Sequence, residues 1–119
     1  MGLTTVTAGQ PLRVTLYWRP VQRTLGTSYS VFVHLLRDGA PILAQRDAVP
    51  VNGIRPTPTW IPGEYIADSY DLPVPRDAPP GTYILEVGVF DPVTGTRLST
   101  GATAPSSSAA RLGVQVLVQ

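Results

Sequence analysis

Hydrophobic and polar residues alternate along most of this chain, and the alternation predicts strands rather than helices. From Leu12 to Trp18, Leu12, Val14, Leu16 and Trp18 share one side and Arg13, Thr15 and Tyr17 the other, the period of two of a half-buried strand. Thr82 to Asp91 repeats the pattern, with Tyr83, Leu85, Val87 and Val89 opposed to Ile84, Glu86, Gly88 and Phe90. In Glu64 to Leu72 the side holding Ile66, Tyr70 and Leu72 is expected to face inward, with Asp68 among them. Arg111 to Val118 places Leu112, Val114, Val116 and Val118 on a face that should close the core. Ser28 to Leu36 is apolar on both faces, as expected of a central strand covered on both sides. Leu3 to Val6 reads as a short edge strand.

Turn residues divide these runs. Arg37-Asp38-Gly39-Ala40 carries the Asp-Gly signal of a tight hairpin, which predicts a returning strand over Pro41 to Asp47. In Asp91-Pro92-Val93-Thr94-Gly95 the aspartate suits the first turn position, proline presets the next φ, and glycine can close the hairpin in a left-handed conformation; a short strand, Thr96 to Leu98, should follow. Pro73 to Pro80 holds four prolines and no period, consistent with a crossover between two sheets. Ala48 to Pro62, also with four prolines and with Trp60, is a long, stiff connection and the natural place to look for a site. Ser99 to Ala110 is small, polar and biased in composition, which predicts a flexible loop. The expected fold is all-β: one domain over residues 1–119, an antiparallel β-sandwich of seven to eight strands, immunoglobulin-like or carbohydrate-binding-module-like, with a single closed barrel as runner-up.

Composition narrows the function. The 13 Pro and 11 Gly favour loops and turns over helices. Nine arginines against eight acids are spread along the chain with no basic run to track a phosphate backbone, so nucleic acid is not an expected partner. The absence of Cys removes disulfides, thiolate zinc sites and thiol nucleophiles. No apolar run approaches the roughly 20 residues of a membrane-spanning helix, so the chain should be soluble as a fragment and monomeric. Met1-Gly2 leads directly into strand-like sequence, and the natural chain is expected to continue upstream.

Candidate chemistry is sparse. His34 is the single histidine, sits mid-strand and reads as a structural residue; no Gly-x-Ser-x-Gly or paired-histidine motif accompanies it. A glycosidase pair or calcium site would have to come from Asp68, Asp71, Asp77, Glu86 and Asp91, whose spacing specifies neither. Asp91 and Asp77 read as turn and loop residues, and Asp68 and Glu86 as partners for arginines. No catalytic residue, metal or cofactor is expected. The aromatics Tyr17, Trp18, Trp60, Tyr65 and Tyr70 are more suggestive, because sugar rings stack on exposed aromatic faces. Trp18 and Tyr83 read as core residues, whereas Trp60, Tyr65 and Tyr70 are the candidate ligand-binding residues, Trp60 either capping the sandwich end or facing a ligand.

Several stretches together resemble a known domain: LRVTLYW at Leu12 to Trp18, YSVFVHLLRDG at Tyr29 to Gly39, AQRD at Ala44 to Asp47, the Pro-Thr-x-x-Trp-x-Pro-Gly-Glu run from Pro56 to Glu64, and PGTYILEVGVFDPVTGTRL at Pro80 to Leu98. The chain is similar to the soluble C-terminal domain of bacterial membrane glycosyltransferases related to the protein mannosyltransferase and arabinose-transferase group. The low-complexity Ser99 to Ala110 segment departs from that pattern. The resemblance implies a non-catalytic accessory domain on the extracytoplasmic face. Catalysis would lie in the membrane portion of the same parent chain, and the domain would contact glycan or acceptor substrate. The alternative is a structural or protein-interaction module with no ligand of its own.

Overall fold

A computed structural model describes residues 2–21, 23, 26–98 and 110–119. These form seven strands: β1 (Gly2–Val6), β2 (Pro11–Trp18), β3 (Ser30–Leu36), β4 (Ala44–Ala48), β5 (Ile66–Pro73), β6 (Gly81–Phe90) and β7 (Ala110–Val118). A single turn of 3-10 helix, Thr57–Thr59, lies between β4 and β5. Among the described residues no helix is long and apolar enough to cross a membrane.

The strands make two sheets, one ordered β1-β7-β6-β3-β4 and one of β2 and β5 alone. All pairs are antiparallel except β1 with β7, which run parallel from Gly2↔Val114 to Val6↔Val118. The expected all-antiparallel arrangement is corrected at that edge: the first strand joins the last instead of its sequence neighbour β2. Both sheets turn their apolar faces to one core. Leu12, Val14 and Leu16 from β2 and Tyr70 and Leu72 from β5 meet Val31, Val33 and Leu35 of β3, Tyr83 to Val89 of β6 in alternation, and Val116 and Val118 of β7. Ile66, Tyr70 and Leu72 are buried, as the alternation predicts.

Two connections differ from the sequence expectation. β4 begins at Ala44 instead of Pro41, because Pro41 has no N–H for the ladder and Leu43 closes the hairpin through its N–H to Leu35 O at 2.9 Å. Thr96 to Leu98 contributes a single bridge, Phe90↔Arg97, in place of a strand. The Asp91 turn itself forms as read: Gly95 N–H donates to Asp91 O at 2.7 Å and Val93 N–H to the Asp91 carboxylate at 2.9 Å, with Gly95 at φ 78°.

The proline-rich crossover from β5 to β6 is fastened at both ends. Gly9 N–H donates to Val74 O at 3.0 Å, and Val74 and Ala78 are buried in the core. Tyr83, near the start of β6, turns its hydroxyl back to donate to Pro79 O at 2.7 Å. The flexible segment expected over Ser99 to Ala110 lies outside the described residues, apart from Ala110, where β7 begins.

Candidate functional site

The long connection after β4 is packed by its own side chains. Thr57, only 1% exposed, accepts the Tyr29 N–H at 3.0 Å and donates to Thr27 O at 3.2 Å, tying the 3-10 turn to the entry of β3. Trp60 follows that turn and is 6% exposed. Its indole N–H donates to Arg55 O at 2.8 Å, and its ring lies 6.3 Å from that of Trp18. The Arg55 guanidinium in turn donates to the Glu64 carboxylate at 2.7 Å. That bond, followed by one from the Ile61 N–H, holds the Glu64 carboxyl below the usual carboxylate range. Trp60 therefore caps the end of the two-stranded sheet, one of the two roles open to it from sequence.

Asp68 anchors the other side of this connection. It points inward from β5 and is fully buried, a placement that demands compensating hydrogen bonds. The carboxylate accepts the Tyr70 hydroxyl at 2.6 Å, the Val51 N–H at 2.7 Å and the Trp18 indole N–H at 3.2 Å. The expected arginine partner is thus corrected to three neutral donors. Among the residues whose burial is described no arginine shares the interior, where a guanidinium would itself need desolvation. Val51 and Asn52 adopt left-handed conformations, φ 56° and 52°. For the β-branched Val51 this is a strained geometry, and it aims its N–H at the carboxylate. Burial, and then the hydrogen bond to Asp68, push the Tyr70 phenol well above its ordinary value.

The three aromatics singled out from sequence do not share one face. Tyr70 is 4% exposed and its ring lies in the core, and Trp60 is covered by Trp18 and its own loop. Tyr65 stands outside, 69% exposed, with the Arg19 guanidinium 5.6 Å from its ring centroid. Its aromatic neighbour is Tyr17, 70% exposed. Tyr17 pairs with Ala67 in the β2–β5 ladder, so Tyr65 is its diagonal cross-strand neighbour, within reach of long side chains. Both rings stand on the outer face of the smaller sheet. Tyr17 falls on the polar side of the β2 alternation, and that was the sequence signal for its exposure.

A second feature lies on the outer face of the larger sheet, where sequence reading placed only a structural histidine. Phe32 and His34 project there from β3, their ring centroids 4.7 Å apart. Arg97 lies over Phe32, guanidinium carbon to centroid 4.4 Å, and Phe90 stands 6.2 Å away. With Asp47 and Gly95 these residues line a depression of about 280 Å³. Burial holds the His34 imidazole below its usual range, opposed by Asp47 and Glu86 and assisted by Arg97. This cluster escaped the sequence because it depends on which strands flank β3. Asp47 and Gly88 are the residues paired with Phe32 on its two sides.

Among the described residues, no group of three or more His, Asp or Glu side chains is placed to hold a metal ion. No protein-family model matches the chain, and no curated protein is significantly similar to it.

Proposed function

We propose that this chain is a non-catalytic β-sandwich module of immunoglobulin-like type, the extracytoplasmic accessory domain of a membrane glycosyltransferase, and that it contacts glycan or acceptor through Tyr17 and Tyr65. The single observation that carries the contact is the pair of exposed rings on the outer face of β2–β5, each about 70% accessible, with Arg19 beside Tyr65. Aromatic rings combined with a hydrogen-bonding cation suit the mixed apolar and hydroxylated faces of a sugar.

The immunoglobulin-like reading is supported by strand order. β2 and β5 take the places of strands B and E, and β3, β6 and β7 those of C, F and G, with β4 added beside C. The Tyr83 bond to Pro79 O has the form of the tyrosine corner at the start of strand F. Leu85, two residues on and buried, occupies the position that a cysteine holds in antibody domains. The parent enzyme is inferred from the resemblance of the sequence segments. Multi-pass membrane spans upstream in the intact protein would support it, and their absence would remove it.

Calorimetric titration with a panel of neutral oligosaccharides tests the contact. At least one should bind saturably, and Tyr65→Ala and Tyr17→Ala should each weaken it roughly tenfold, about 1.4 kcal/mol. A flat response across the panel would remove the sugar-binding part. A second reading, a protein-interaction module, is favoured by Val21 and Ile61, which are also exposed and lie on the two segments joined by the bond from Gly63 N–H to Pro20 O at 3.1 Å. Under that reading no oligosaccharide binds, and replacing Val21 and Ile61 with aspartate abolishes capture of a protein partner.

A further inference from the structure

We propose that the depression over Phe32, on the outer face of the five-stranded sheet, binds a small zwitterionic amino compound, its carboxylate held by Arg97 and its ammonium by Asp47.

Both charges line the same hollow of about 280 Å³. Yet among the described residues Arg97 and Asp47 form no ion pair, with each other or with any third residue. Opposite poles held apart across a concavity suit a ligand carrying both charges, since a purely anionic or purely cationic one would meet its own sign at the far wall. Arg97 is also pre-organised. Its guanidinium face rests on Phe32 at 4.4 Å, and no hydrogen bond joins it to another described residue. Stacking occupies the face of the group and leaves the planar fork of N–H donors for a bidentate carboxylate. The rotamer freedom that a long side chain would otherwise lose on binding is already reduced.

The backbone makes room for such a ligand. Gly95, which lines the hollow, is at φ 78° and turns the hairpin so that Arg97 bridges back to Phe90. Phe90 offers an apolar wall for the ligand's side group. His34, kept neutral near pH 7 by its burial, can donate or accept without adding charge. A sugar is disfavoured here because the face of Phe32 on which it would stack is taken by Arg97. The site lies on the opposite sheet from Tyr17 and Tyr65 and stands or falls independently of the glycan contact proposed for them.

The test is a nuclear magnetic resonance titration of the native chain with L-phenylalanine, N-acetyl-L-phenylalanine and L-phenylalaninamide, followed at the imidazole of His34, the single histidine. The zwitterion should shift His34 and the Phe32 and Phe90 rings saturably, and each capped compound should bind at least about tenfold more weakly. Arg97→Gln and Asp47→Asn, both at the surface, should each abolish the response while keeping a dispersed amide spectrum. Equal binding of capped and uncapped compounds would overturn the proposal. So would unshifted signals up to about 20 mM, weaker than millimolar binding. A neutral disaccharide shifting the same rings would also overturn it. The capped series uses the native chain, so the outcome does not depend on either variant folding.

Discussion

Replacing Asp68 with alanine removes the acceptor shared by Trp18, Tyr70 and the backbone of Val51. Hydrogen bonds to a charged group contribute about 1.5–3 kcal/mol each, and a buried donor left without a partner costs about 1–3 kcal/mol. The three lost bonds are offset in part because the carboxylate no longer has to be desolvated, a penalty of several kcal/mol. With three neutral donors left unpaired at about 1–3 kcal/mol each, and that offset against them, the balance is a loss of about 2–5 kcal/mol. The strained turn at Val51 and Asn52 also loses its anchor. Against a total stability of about 5–15 kcal/mol for a small domain, this is a large share. Asp68→Asn keeps one carbonyl for Val51 N–H and lets the Tyr70 hydroxyl turn to accept, leaving mainly the Trp18 N–H unpaired, so its cost should be about 1–2 kcal/mol. Urea unfolding monitored by tryptophan fluorescence separates the two, because Trp18 and Trp60 flank the network. An alanine variant that unfolds within about 0.5 kcal/mol of the native chain, the range of a neutral surface change, or an asparagine variant less stable than alanine, would mean that Asp68 does not hold this network together.

Tyr83→Phe should cost about 1 kcal/mol in the same assay, since it deletes the bond to Pro79 O at 2.7 Å but leaves the buried ring in place; no change would mean that the corner contributes nothing to the crossover. Val51→Gly relieves a β-branched residue at φ 56° and should raise stability by up to about 1 kcal/mol, left-handed strain of about 1–2 kcal/mol exceeding the added chain entropy of glycine; a loss of more than 1 kcal/mol would show that the valine side chain matters more than its backbone. Stability should fall at both ends of the pH range. The lowered His34 pKa means that the unfolded chain binds a proton first, so stability is lost as pH drops below 6.5 towards the folded value. The raised Tyr70 pKa means that the unfolded chain releases its proton first, so stability is lost as pH climbs above 10. His34→Gln should flatten the first slope and Tyr70→Phe the second, both read from unfolding midpoints against pH.

Much of the framework was legible because alternation is a local signal. β2 and β6 show it cleanly, and the inward set Ile66, Tyr70 and Leu72 follows from the same period. The Asp91 to Gly95 turn was equally readable, each residue there having a reason for its place. Pairing is a different matter. Nothing local in Gly2 to Val6 says that it will lie parallel to a strand from the opposite end of the chain. Asp68 looked like an arginine partner because charge is visible in sequence, whereas the convergence of Trp18, Tyr70 and Val51 on it requires the β2–β5 register and the fold of a distant loop. Trp60 illustrates the same limit. A tryptophan between prolines suits a cap or a platform equally well, and only the Arg55 carbonyl and the Trp18 ring decide that it is covered. Tyr17, on the polar side of β2, and Tyr65, just before β5 and in phase with its polar side, were the aromatics whose exposure the pattern could give.

Under the proposed function the outer face of β2–β5 presents Tyr17 and Tyr65 to a glycan. Saturation-transfer magnetic resonance with a bound oligosaccharide tests it most directly. Magnetisation should pass from the ring protons of Tyr17 and Tyr65 to the sugar, and the Tyr17→Ala, Tyr65→Ala double variant should lose the transfer while its spectrum stays folded. Absence of transfer from every oligosaccharide tried, or transfer undiminished in the double variant, would contradict the account.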